Sequence, residues 1–144
     1  MNETTTKIPK SFYWISGIAL VWNILGVVAY VMQMTMSPET LAAMPPEQQA
    51  IYNEMPAAID GAFAIAVNGG AVGCVLLLMR LKIALYVFIL SMAGIVVQFG
   101  YVIFLTETVA VMGATSVIGP IFVALVGIFL IWFTLSSDKK GLLK

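Results

Sequence analysis

Apolar residues fall into four long stretches, which are separated by short segments rich in polar residues and proline. The stretches cover about residues 11–34, 57–79, 83–105 and 116–135. Each is close to the roughly 20 helical residues that are needed to cross about 30 Å of hydrocarbon. The pattern therefore predicts an all-α integral membrane protein, in which residues 1–144 form one transmembrane four-helix bundle.

The first connection, residues 35–56, is predicted to contain two short amphipathic helices. Ser37 followed by Pro38 is typical of an N-cap and the first helical position, and this helix is expected to end at Met44. A second helix is expected from Pro46 to Met55. The two helices either lie flat on the membrane surface or act as a lid over a cavity that opens there.

The charges predict the orientation of the bundle. Seven basic and seven acidic residues give a net charge of zero. All seven cations lie in three segments, which are before the first stretch, between the second and the third, and after the fourth. They are Lys7, Lys10, Arg80, Lys82, Lys139, Lys140 and Lys144. Since basic residues mark the cytoplasmic side of a membrane protein, both termini are predicted to be cytoplasmic and residues 35–56 to be outside.

The composition argues against several functional classes. The hydrophobic share of 61% and the charged share of 10% are not those of a soluble domain. The chain has no histidine and a single cysteine, Cys74, so no metal site, no cofactor site and no catalytic nucleophile with its base is expected. Without a basic patch, nucleic-acid binding is not expected either. The lipid bilayer is the expected environment, and the protein is predicted not to be an enzyme.

Three carboxamides are predicted near the middle of the membrane: Asn23, Asn68 and Gln98. An unpaired amide in hydrocarbon costs several kcal/mol, so all three are expected to face the interior of the bundle. They either hydrogen-bond to one another and fix the helix register, or line a pocket for a small neutral polar solute. The second interpretation places three further residues at the mouth of the pocket, Tyr30, Tyr101 and Asp60.

Small residues at helical spacing predict where the helices pack closely. The expected packing glycines are Gly26, Gly69, Gly73, Gly94 and Gly127. In the second stretch, four of the small residues form one stripe: Ala62, Ala66, Gly69 and Gly73. This stripe could pack against another helix of the same chain or against a partner protein.

Several short motifs are similar to a known group of membrane proteins. They are Trp22-Asn23-Ile24-Leu25-Gly26 with Tyr30, Pro56 at the start of a helix, Gly69-Gly70 with Gly73, Leu76–Leu78 before Arg80, and Phe88 with Ser91. Together they resemble small four-helix bacterial inner-membrane proteins that are often labelled "sugar transporter". The resemblance implies a multi-pass protein of the bacterial inner membrane and a sugar-like solute. The sequence departs from the group at Ala57 and Ala58, where a tryptophan is common.

Two functional hypotheses follow from the sequence. In the first, the protein binds or transports a small neutral polar solute, acting as a homo-oligomer. In the second, it is a non-catalytic accessory or scaffold subunit of a larger membrane complex, which uses its small-residue stripe to contact a partner.

Overall fold

The computed structural model describes residues 6–144, and within this range the chain is helical and contains no strand. The helices are α1 (Lys10–Met34), α2 (Pro38–Ala42), α3 (Pro46–Asn53), α4 (Ala57–Leu78), α5 (Ala84–Leu105), α6 (Thr108–Met112) and α7 (Ile118–Lys139). In the described residues, the four long helices α1, α4, α5 and α7 are apolar and long enough to cross a membrane. This confirms the prediction of an all-helical membrane protein with four candidate spans.

Prolines position the starts of several helices. Pro38 and Pro46 occupy the first turns of α2 and α3, and Ser37 Oγ accepts a hydrogen bond from the Thr40 amide at 3.2 Å. Both short helices end earlier than the sequence predicted, α2 at Ala42 and α3 at Asn53. The physical reason is that Met44 and Met55 precede prolines, and a residue before proline is disfavoured in the helical conformation.

The connection between α5 and α7 contains structure that the sequence did not predict. Residues Thr108–Met112 form the short helix α6, Gly113 has a φ of 84°, and a 3₁₀ turn covers Ala114–Val117. The long helix α7 then begins at Ile118 rather than at Ser116. The α6 segment is too short to give a helical period in the sequence, which explains why it was missed.

The long helices pack in a definite order. Helix α4 lies between α1 and α5, and α5 packs against α7. The tight turn that joins α4 to α5 includes Arg80, whose φ is 64°. Helices α1 and α7 meet through aromatic side chains, with ring centroids 5.8 Å apart for Phe12 and Phe133 and 5.1 Å apart for Trp22 and Phe122. We call these two aromatic pairs the α1–α7 seam.

The main apolar core lies at one end of the bundle, the terminal end, where α1 starts, α7 ends and α4 turns into α5. Its most buried side chains include Phe12, Leu77, Phe88, Leu130, Leu142 and Leu143. The segment after α7 is tied to the α4–α5 turn, because the Lys144 amide donates to Arg80 O at 2.6 Å and the Lys82 amide donates to Lys144 O at 3.1 Å. The opposite end, with α2, α3 and α6, is the loop end.

Candidate binding cavity

A cavity of about 410 Å³ lies between the four long helices, which all contribute walls, and it is partly open at the surface of the bundle. It extends from Asn23 and Leu130, near the midpoints of α1 and α7, towards Phe63 and Phe99 in the loop-end halves of α4 and α5. Its volume falls within the range of about 300–1,000 Å³ that is usual for small-molecule sites. The cavity is therefore large enough for a small organic molecule.

The walls of the cavity are mainly apolar. Four aromatic rings line it, those of Trp22, Phe63, Phe88 and Phe99, together with aliphatic side chains from every wall. A hydroxyl or amide that is buried without a hydrogen bond costs about 1–3 kcal/mol in proteins. A solute with many hydroxyl groups would leave most of them unpaired against these walls.

Gln98 lines the cavity and has a side-chain oxygen without a hydrogen-bond partner in the described residues. Its side chain is 9% exposed, and its Oε1 atom is buried without a hydrogen-bond partner in residues 6–144. Because buried polar atoms are nearly always paired, this oxygen on a cavity-lining side chain is left needing a donor from outside the described residues.

The other polar groups of the cavity already use their hydrogens within the protein. Ser91 Oγ donates to Ala66 O at 2.6 Å, which links α5 to α4. Asn23 Nδ2 donates to Ala19 O at 2.8 Å in its own helix and approaches Cys74 Sγ at 3.5 Å. The carboxamide of Gln98, in contrast, makes no hydrogen bond within residues 6–144, so both its oxygen and its nitrogen lack a protein partner.

The carboxamide of Asn23 sits directly against the backbone of α4. A Cβ atom placed on Gly70 would lie 1.9 Å from Asn23 Oδ1, so any larger residue there would displace the end of the Asn23 side chain. Gly70 was not among the predicted packing glycines. The Asn23 amide is therefore held on the cavity wall by a glycine on one side and by Cys74 on the other.

Three of the predicted packing glycines form the close contact between α4 and α5, which we call the α4–α5 seam. A Cβ on Gly94 would meet Ala62 O at 2.7 Å, and a Cβ on Gly73 would meet the Phe88 ring at 2.6 Å. A Cβ on Gly69 would lie 3.0 Å from Ser91 Cβ. The stripe of Ala62, Ala66, Gly69 and Gly73 is consequently used inside the chain, packed against α5.

The two other predicted packing glycines, Gly26 and Gly127, line the cavity itself. A Cβ on Gly26 would contact Val67 at an ordinary 3.4 Å, whereas one on Gly127 would come within 2.5 Å of the flexible end of Met92. These positions widen the cavity, and their helix contacts are less restrictive than those of the α4–α5 seam.

The predicted mouth residues do not line this cavity. The Tyr30 ring packs edge-on against Phe63, with centroids 5.2 Å apart. Tyr101 lies in a separate groove that is shared with Glu47 and Glu54 at the loop end. Asp60 is half-buried in the first turn of α4.

Asn68 is separated from the other two amides. It is exposed on the outer face of α4, and its Nδ2 donates to Ala64 O of the same helix at 2.9 Å. The prediction that it faces the interior is wrong, because two residues correspond to a rotation of about 200° along a helix. Since Ala66 and Gly70 are on the buried face, Asn68 between them points away from the bundle.

Sequence reasoning missed several cavity residues, most clearly Phe63 and Phe99. The signal for Ser91 was present, since it shares a helical face with Gly94 and Gln98. The aromatic residues gave no comparable signal, because apolar rings occur on every face of these helices.

No group of three or more acidic or cysteine side chains that could hold a metal ion occurs within residues 6–144. Comparisons of the chain with protein-family models, with curated proteins and with solved structures find no significant match.

Proposed function

We propose that this protein is a non-catalytic, membrane-embedded binding protein for a small and mainly apolar molecule that carries one hydrogen-bond donor. An amphipathic phenol or alcohol has this chemistry. The observation that carries the proposal is the carboxamide of Gln98, which lines a cavity with mainly apolar walls and whose Oε1 atom has no hydrogen-bond partner in residues 6–144. The hydroxyl of such a ligand would donate to Gln98, while its apolar body would contact the rings of Trp22, Phe63 and Phe99.

The proposed ligand differs from the sugar that the family resemblance implies. A sugar presents several hydroxyl groups, and each requires a partner when it is buried. In this cavity the hydrogens of Ser91 Oγ and Asn23 Nδ2 are already committed to protein acceptors. A ligand with one hydroxyl group can pair with Gln98, whose carboxamide makes no hydrogen bond within residues 6–144.

The accessory-subunit hypothesis receives less support from the same structure. It relied on the small-residue stripe of α4 as a surface for a partner. That stripe packs against α5, where Gly69 approaches Ser91 and Gly73 approaches Phe88. A partner protein would have to use another surface.

The proposed orientation places the terminal end in the cytoplasm of a bacterium and the loop end outside its inner membrane. The described cations Arg80, Lys82 and Lys139 lie in or beside the turns of the terminal end, whereas Glu39 and Glu107 belong to the loop end. Basic residues concentrate on the cytoplasmic side of membrane proteins, which supports this orientation. Most of the cavity would then lie in the outer half of the bundle, with Phe88 and Ser91 lining its inner part.

The proposal is tested by measuring ligand binding to the purified protein in lipid nanodiscs. A panel of small alkylphenols and alcohols is compared with glucose, and binding is followed by the shift of the unfolding temperature and by calorimetry. Gln98→Met removes the acceptor and keeps the length of the side chain. We expect it to weaken binding of the best phenol or alcohol about tenfold, because a hydrogen bond from a buried ligand is lost.

The matched control is Gln33→Met, which changes an amide on α1 that does not line the cavity. It should leave the affinity unchanged. The proposal fails if Gln98→Met binds as tightly as the unaltered protein, or if glucose binds and the phenols and alcohols do not.

A further inference from the structure

Asn68 occupies an unusual place for a carboxamide. It lies at the midpoint of α4, and its side chain is on the exposed surface of the chain. Its Nδ2 atom is satisfied by Ala64 O, but its Oδ1 atom receives no hydrogen bond from residues 6–144. If α4 crosses a bilayer, this oxygen faces the hydrocarbon, where no water is present to donate to it.

The other amides of the long helices are placed differently. Gln98 is buried, and Asn23 and Gln33 are half-buried. Asn68 is thus the only carboxamide that the long helices of the described chain expose. An exposed amide at this depth requires a partner that can donate a hydrogen bond inside the membrane.

The exposed residues around Asn68 have the spacing of a surface on which a second helix can pack. From Gly61 onwards, the exposed residues of α4 follow a spacing of four, three, four and three: Gly61, Ile65, Asn68, Val72 and Val75. We call this set the α4 outer stripe. This spacing is that of a left-handed helix pair, and a single Asn in such a seam fixes the register of the two helices. Other exposed helix faces share the spacing, but none of them contains an amide.

We propose that a second copy of this chain packs on the α4 outer stripe, with the two α4 helices parallel and the two Asn68 side chains hydrogen-bonded to each other. A carboxamide is both donor and acceptor, so it is complementary to an identical group. A two-fold axis along the membrane normal places each residue of the stripe at the same membrane depth as the identical residue of the second copy. A second copy therefore supplies the missing donor at the required depth without any other protein.

The rest of the stripe allows such a close approach. Gly61 has no atom within 4 Å of a Cβ placed on it, so this end of α4 is open to a neighbouring helix. Ile65, Val72 and Val75 are 45%, 51% and 44% exposed, and they provide an apolar surface on both sides of Asn68. The proposal is independent of the ligand in the cavity, because the α4 outer stripe and the cavity lie on different faces.

The first test is oxidative cross-linking of single-cysteine additions in membranes. Val72→Cys lies on the α4 outer stripe, whereas Val97→Cys is a matched control on α5, since the two valines are 51% and 52% exposed. The native Cys74 is fully buried, so the unaltered protein gives the background level of cross-linking. We expect Val72→Cys to form a disulfide-linked dimer and Val97→Cys to remain a monomer.

The second test measures dimer affinity in bilayers by energy transfer between labelled copies at increasing dilution in lipid. Asn68→Leu should weaken the dimer about tenfold, and Asn68→Gln, which keeps the carboxamide, should retain most of the affinity. Asn53→Leu, an exposed amide on α3 outside the long helices, is the control and should have no effect.

Three outcomes would overturn the proposal. One is a protein that stays monomeric at every lipid dilution. Another is equal cross-linking of Val72→Cys and Val97→Cys. The third is a Val72→Cys cross-link in native membranes to a different protein in place of a second copy, which would assign the stripe to a heterologous partner.

Discussion

The α4–α5 seam reaches the cavity at Phe88 and Ser91, and the α1–α7 seam reaches it at Trp22, yet the two seams are made of different contacts. In the α4–α5 seam, backbone atoms meet at Gly69 and Gly94, and the Phe88 ring packs directly on Gly73. In the α1–α7 seam, the contacts are between the aromatic rings of Phe12 and Phe133 and of Trp22 and Phe122. Backbone contacts can separate only if whole helices move, whereas side-chain contacts can open by rotamer changes. The comparison indicates a rigid wall on one side of the cavity and a wall that can open on the other.

This difference suggests how a ligand reaches the cavity. An apolar molecule that is dissolved in the bilayer would enter between α1 and α7, where Trp22 lines the cavity and contacts Phe122. The α4–α5 seam would keep its geometry meanwhile. Three predictions test this contrast, from the largest expected effect to the smallest.

The largest effect is expected from Gly94→Val in the α4–α5 seam. The new side chain would clash with Ala62 O and with the backbone nitrogen of Ala66, at 2.7 and 2.9 Å from the Cβ position. Because these are backbone atoms, the helices must separate, at a cost of about 3 kcal/mol in the free energy of unfolding. Thermal or chemical unfolding in detergent measures this loss.

The control for this substitution is Gly100→Val in the same helix, where a Cβ meets no atom within 4 Å. It should leave stability nearly unchanged. If the two variants lose equal stability, the α4–α5 seam is not the rigid wall of the cavity.

An intermediate effect is expected from Ser91→Ala, which removes the hydrogen bond to Ala66 O across the same seam. Hydrogen bonds between membrane helices contribute on average about 0.6 kcal/mol and at most about 1.7. We therefore expect a stability loss of about 1 kcal/mol in the same unfolding assay.

Ser16 offers a matched comparison, because it is fully buried and its Oγ atom has no partner in residues 6–144. Ser16→Ala removes an unpaired hydroxyl, so it should be neutral or slightly stabilising. If Ser91→Ala loses no more stability than Ser16→Ala, the seam hydrogen bond contributes nothing measurable.

The smallest effect on stability is expected from Phe122→Leu in the α1–α7 seam. The edge-on pair with Trp22 contributes about 0.5 kcal/mol in addition to the free energy of burying its apolar area, so the unfolding temperature should change little. The rate of ligand release should nevertheless increase several-fold, and stopped-flow tryptophan fluorescence can follow it. Phe104→Leu, at a side chain that is 82% exposed, should change neither quantity. Equal release rates in both variants would argue against entry between α1 and α7.

The fold was more predictable than the cavity, for a physical reason. The four spans depend on local hydrophobicity and on prolines such as Pro56, so they are visible in one stretch of sequence at a time. Gln98 was also placed correctly in the interior, since Ser91 and Gly94 share its face. Helix α4 was ambiguous, because Asn68 marked one candidate interior face and Gly73 marked another. The glycine face is buried, since close approach of two helix backbones stabilises the bundle more than the hydrogen bonds of one amide do.

The rings of Phe63 and Phe99 could not be assigned to the cavity from sequence. Their positions depend on how four helices rotate about their axes, and no local pattern encodes that rotation. The same holds for Gly70, whose importance depends on Asn23 from another helix.

The link between Lys144 and the α4–α5 turn has a consequence for the order of assembly during synthesis. The Arg80 carbonyl and the Lys82 amide receive their partners from Lys144. Arg80 Nε also donates to Leu142 O, which is 62 positions later in the chain, at 2.6 Å. The hairpin of α4 and α5 can therefore enter the membrane early, but its turn is completed only after α7 has been synthesised and inserted. The last described residues thus complete the hydrogen bonding of a turn that is synthesised much earlier. Full protection of this turn from hydrogen exchange would therefore report that the whole bundle has assembled.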